Sequence, residues 1–141
     1  MRKLTGVVVV FNMLFWSQIA VACSCKTNIS LAKRSASADV IMVAEIVGVS
    51  PLSQAIVRPI EVIKGRVSRT LSVSAARIVG CDSWSSPPPV GGRYLLYLSR
   101  RDGQLEVKVC THPRLITESM QELISLRELY GQSIEPAELG R

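Results

Sequence analysis

Four cysteines constrain this chain more than any other feature, and two of them sit in the short run Cys23-Ser24-Cys25. The other two, Cys81 and Cys110, lie far downstream. An even count in an exported chain reads as two disulfides, and four cysteines allow three pairings. A bond between Cys23 and Cys25 would close a strained ring across one residue, so each is expected to pair with a distant partner. Such crosslinks close long loops and stabilise by roughly 4 kcal/mol apiece in the chain-entropy picture. For a small domain that is a large share of the total.

Export is read from the residues before Cys23. Met1-Arg2-Lys3 is a basic start, Val7 to Ile19 is an apolar run too short for a membrane span, and Ala20-Val21-Ala22 supplies small residues for cleavage. Residues 1–22 are therefore expected to be a signal peptide, giving a secreted or periplasmic protein that begins at Cys23. Lipidation of Cys23, with anchoring to an envelope, is the alternative; Ala20 stands where lipoprotein leaders usually carry Leu. The difference matters chemically. A free α-amine on a chain end pinned by disulfides is a rigid metal-binding group, and acylation would block it.

Removing 22 of the 141 residues leaves about 119, enough for one small domain. The formal charge of +6 falls to +4 without Arg2 and Lys3, and the remaining charge is uneven, with a basic body and an acidic stretch after Ile116. A basic body can steer towards acidic partners, although a solvated surface with scattered charges is the simpler and preferred reading.

The hydropathy pattern is that of short strands. Asp39 to Ser50 is a β-branched apolar run that reads as a buried strand bent at Gly48, and Ala55 to Ile63 alternates back along it, ended by Lys64-Gly65. Thr70 to Ser74 is a third strand, Arg93 to Ser99 a fourth, and Leu105 to Cys110 a fifth, with Asp102-Gly103 marking the hairpin between the last two. Five strands at this spacing predict an all-β, five-stranded, Greek-key barrel that is closed or nearly so. Asn28 to Ser37 carries a weak helical pattern, and Val79 to Pro89 reads as a loop holding Cys81 and Trp84. A flanking helix over about 117–131 is expected from the capping box Ser119/Glu122, the stripe Leu123, Leu126, Leu129 and Tyr130, and Gly131 as C-cap. Residues 132–141 read as a loose tail.

Catalysis is poorly supplied. One histidine, His112, no Ser-His-acid set and no expected free thiol leave general acid–base chemistry without its usual groups. Asp39, Glu45 and Glu61 are the carboxylates one would pair, but all lie in strand regions that nothing brings together. Cys-x-Cys without further nearby thiolates or histidines makes a poor metal site of its own, so no resident cofactor is expected. Barrels of this type also bind single-stranded nucleic acid through aromatic-studded faces. Trp84, Tyr94, Tyr97 and Tyr130 form no visible cluster, and no nucleic-acid partner is expected.

The ordered set Cys23-Ser24-Cys25, Ala38-Asp39-Val40, Ile63-Lys64-Gly65, Gly80-Cys81, Val90-Gly91-Gly92 with Tyr94-Leu95, and Asp102-Gly103 through Cys110 resembles the tissue inhibitors of metalloproteinases. The resemblance spans residues 23–131, and it implies an oligonucleotide/oligosaccharide-binding-type barrel with the pairings Cys23–Cys81 and Cys25–Cys110. It further implies inhibition of a zinc metalloproteinase by a monomer. Cys23 would chelate the target's zinc through its main-chain nitrogen and oxygen. Ser24 would enter a specificity pocket, Cys25, Lys26 and Thr27 would follow the cleft, and Gly80 and Cys81 would form a second ridge. The chain departs from that family in lacking a third core disulfide and the cysteine-rich second domain, and in its short link between the first two strands. A non-inhibitory, protein-binding or envelope-surface module on the same barrel is the alternative function.

Overall fold

The computed structural model describes Cys25 and residues 29–75, 77–78, 81–82, 87–108 and 110–131. A short helix α1 (Leu31–Ala36) precedes strands β1 (Val40–Val49), β2 (Ala55–Lys64) and β3 (Leu71–Ala75). A small ribbon of β4 (Arg77–Ile78) and β5 (Cys81–Asp82) follows, then β6 (Arg93–Arg101), β7 (Gln104–Val107) and β8 (Arg114–Leu115). A 3₁₀ turn (Ile116–Glu118) leads into helix α2 (Met120–Tyr130). The ring runs β1-β2-β3-β7-β6 and returns to β1, so five strands close a barrel; every pairing in it is antiparallel except β3 with β7.

Strand β1 explains why its sequence is apolar without interruption. Val40, Met42, Ala44 and Ile46 join the barrel interior, while Ile41 and Val43 belong to a second cluster with Leu123 and Leu126 of α2. Strand β6 divides likewise, Tyr94, Leu96 and Leu98 facing inward and Leu95 and Tyr97 facing the helix side. Both strands are buried on two faces, so alternation disappears. Each such side chain contributes about 1.5–3 kcal/mol on leaving water. Three register shifts in the β1–β2 pairing, the last between Ile46 and Gly48, let β1 curve enough to pair with both neighbours.

The turns follow from their residues. Asp102 and Gly103 have φ of 50° and 80°, the doubly left-handed turn that matches strand twist in a two-residue hairpin. Gly65 has φ of 85°, and a Cβ there would stand 2.5 Å from the Asp39 carbonyl oxygen. Only glycine permits that approach, which seats the end of β2 against the start of β1. Strand β3 covers Ala55, Ile56 and Val57 of β2, and among the described residues the rest of β2 pairs on its β1 side alone.

Several expectations need correction. The fifth strand ends at Val107, and Cys110 lies in a turn with φ of 66°, where the Thr111 hydroxyl and amide both donate to the Lys108 carbonyl. The region around Cys81 is not wholly loop, since Ile78 pairs with Cys81 across β4 and β5. Ser119 does cap α2 through its carbonyl, but the reciprocal box is not made. The Glu122 carboxylate is held elsewhere, and the buried Ser119 hydroxyl has no hydrogen-bond partner among the described residues. Leu129 is exposed, so the packed stripe consists of Leu123 and Leu126 with Tyr130 at its margin. One of the two expected disulfides, Cys25–Cys110, lies within the described residues.

Candidate functional site

The functional expectations converge on the segment entering the barrel, of which Cys25 and the residues from Ile29 onward are described. Cys25 is bonded to Cys110, with their Cα atoms 5.5 Å apart across 85 residues of sequence. Ser30 starts α1, its hydroxyl accepting from the Lys33 amide at 3.3 Å. At the other end, Lys64 Nζ donates to the carbonyls of Ser35, Ala36 and Ala38 at 2.9, 3.0 and 2.6 Å. Lys108 Nζ adds a bond to Ser37 O at 3.0 Å. Cations at the carbonyl end satisfy groups that a helix leaves open and favour its dipole. Burial holds the Lys108 ammonium below the usual lysine range, with Asp39 opposing that effect and Lys64 adding to it.

A second attachment is ionic. Arg34 of α1 reaches Glu122 of α2 at 2.5 Å, Arg114 takes the other carboxylate oxygen at 2.9 Å, and the Tyr97 hydroxyl donates to the same oxygen as Arg34. The Arg34 guanidinium also lies 5.3 Å from the centre of the Tyr97 ring. Burial first, and the Glu122 hydrogen bond second, push the Tyr97 phenol far above its ordinary range. Beside this cluster the Tyr130 hydroxyl donates to Ser35 Oγ at 3.0 Å, and Lys64 Nζ lies 5.6 Å from the Tyr130 ring centre. The start of the domain is thus tied to β2, β6, α2 and the turn after β7.

No family model matches the chain, and no curated protein matches it.

Of the expected site residues, Cys25 stands exposed at the barrel, and Cys81 opens β5. Cys23, Ser24, Lys26, Thr27 and Gly80 lie outside the described residues, as do the Cys23–Cys81 pairing, Trp84, the leader and the tail. The carboxylates considered for catalysis are engaged separately. Glu45 binds Arg58 at 2.7 Å and is held below the usual range mainly by that bond; Glu61 binds Arg127 at 2.6 and 2.8 Å; and Asp39 accepts the Arg100 amide at 2.7 Å. Among the described residues no group of three or more His, Cys, Asp or Glu side chains could hold a metal, and no helix is long and apolar enough to cross a membrane.

Sequence reasoning missed the Arg34–Glu122–Tyr97 contact and the lysine caps. The signal available was an Arg in a weak helix and a Glu facing the apolar stripe of another, which is too common a pairing to single out.

Proposed function

We propose that the protein is an exported inhibitor of a zinc metalloproteinase, acting through the amine and carbonyl of Cys23 as the first mature residue. The observation that carries this reading is the Cys25–Cys110 bond, which fixes the chain two residues after Cys23 to the rim of a closed barrel. The ring order and the single parallel pair, β3 with β7, support an oligonucleotide/oligosaccharide-binding-type barrel.

The chemistry follows from that placement. A catalytic zinc keeps one position open for water. A main-chain amine and the carbonyl of the same residue form a five-membered chelate that displaces this water. The amine must be neutral, and with an ordinary pKa of about 8 it gives up its proton on binding near neutral pH. Ser24 then enters the adjacent pocket, Cys25, Lys26 and Thr27 follow the cleft, and Gly80 and Cys81 supply a second contact. The bond from Cys25 to Cys110 limits the entropy that the segment can lose on binding, which is how rigid inhibitors gain affinity. The turn between β1 and β2 spans only Ser50 to Gln54, so it adds little to the contact surface.

The test is chemical. Mature protein with a free Cys23 amine inhibits a panel of zinc metalloproteinases, and adding one residue before Cys23, or acetylating its amine, abolishes inhibition while circular dichroism and melting stay unchanged. No inhibition by the free-amine protein, or a diacylglyceryl adduct at Cys23 by mass spectrometry, overturns the reading in favour of an envelope-surface binding module, and inhibition that survives the extension overturns the chelation by Cys23.

A further inference from the structure

Between the β2–β3 connection, β3 and the β6–β7 hairpin lies a groove of about 300 Å3. Its apolar lining comes from Leu105, which is buried, and from Val67 and Leu71, which pack on the barrel core. Its polar lining includes Ser72 and Ser74, two apart on β3, and Gln104 at the start of β7. Two arginines complete it, Arg66 and Arg100. The Asp39 carboxylate accepts the Arg100 main-chain amide at 2.7 Å and fixes the strand there, while Arg100 Nη2 lies 3.4 Å from the Arg66 carbonyl oxygen.

Arg66 and Arg100 share with Arg69, Arg93 and Arg101 the lack of an ion pair among the described residues, and are set apart by lining one groove. Arg34, Arg58, Arg114 and Arg127 each meet a carboxylate. Arg66 and Arg100 form no ion pair among the described residues, although they share one concave surface. Two guanidiniums lining one groove can offer an incoming oxyanion paired donors. Among the described residues the lining contains no aromatic side chain for the stacking that single-stranded nucleic acid uses. Serine hydroxyls and an amide suit a polyhydroxylated ligand, and the apolar patch suits the C–H face of a sugar ring.

We propose that this groove binds an anionic saccharide unit, with its carboxylate, sulfate or phosphate between Arg66 and Arg100 and its ring against Val67, Leu71 and Leu105. The site is independent of the inhibitory reading. It uses none of the residues assigned to the mature amino terminus.

Backbone amide shifts of isotope-labelled protein test it with three probes: a sulfated heparin-derived tetrasaccharide, glucose 6-phosphate, and uncharged maltotetraose. The signals of Ser72, Ser74 and Gln104 move with a charged probe and not with maltotetraose. A stronger response to the tetrasaccharide identifies a polymer as the source, and a stronger response to the sugar phosphate a free metabolite. Combining Arg66→Ala with Arg100→Ala weakens the charged probe by about tenfold or more, whereas Arg58→Ala leaves it unchanged. The spectrum of the double variant reports directly whether it is folded, and Arg66→Lys with Arg100→Lys retains part of the binding. Undisturbed signals with both charged probes, an equal response to maltotetraose, or full binding by the folded alanine variant overturns the proposal.

Discussion

Arg34 and Glu122, 88 residues apart in sequence, meet at 2.5 Å and join the first helix of the domain to the last. Glu122 is only 12% exposed and serves Arg114 and Tyr97 as well, so its charge is shared by three partners. Glu122→Gln removes that charge and strands Arg34, whose Nε already has no hydrogen-bond partner among the described residues. The expected loss is about 2 kcal/mol in urea unfolding, somewhat below that for breaking a fully buried pair. Amide exchange across Leu31–Ala36 should quicken more than exchange in β1. Uniform quickening would mean that the contact does not hold α1 in particular.

Alkaline stability is governed in part by Tyr97. Its folded-state phenol is raised far above the ordinary value by burial and by Glu122, whereas in the unfolded chain it ionises near a pH of about 10. Above that pH the unfolded state binds fewer protons than the folded one, so stability declines as pH rises. Tyr97→Phe should flatten this decline in melting curves taken from neutral pH upward. An unchanged slope would show that other groups set it.

Two glycines with left-handed backbones should behave differently. Gly103→Ala meets no atom within 4 Å and has only its φ of 80° to contend with, so it costs about 1–2 kcal/mol. Gly65→Ala adds a 2.5 Å encounter with the Asp39 carbonyl to the same kind of strain and costs about 3 kcal/mol or more. Equal losses in chemical denaturation would contradict the close approach.

Replacing Cys25 and Cys110 together with Ser opens a loop of 85 residues. The chain-entropy relation gives about 4–5 kcal/mol for that length. The melting temperature falls accordingly. On the inhibitory reading the double variant also loses inhibition at temperatures where the barrel persists, because residue 25 is no longer tied down.

Much of the barrel could be read from local sequence, because its signals are local. The uninterrupted apolar run from Val40, the alternation after Ala55 and the Asp102-Gly103 pair each report the backbone conformation of their own neighbourhood. What escaped prediction depends on distant partners. Glu122 looked like half of a capping box because Ser119 stands three residues earlier, yet Arg34, Arg114 and Tyr97 outbid that local bond. Leu129 fits the helical stripe by spacing, but the barrel surface ends before reaching it. Cys110 continues an alternating run that predicts strand, whereas the bonds from Thr111 to Lys108 turn the chain there. The groove beside Arg66 and Arg100 left no pattern in the sequence at all, since its residues come from three separate stretches.

Beyond Val57, strand β2 is paired only with β1 among the described residues, the β3 ladder having ended. Pro59 sits in that stretch without an N–H to donate. A second molecule trying to lengthen the sheet would find a missing rung, so concentrated solutions should resist fibril growth along this margin.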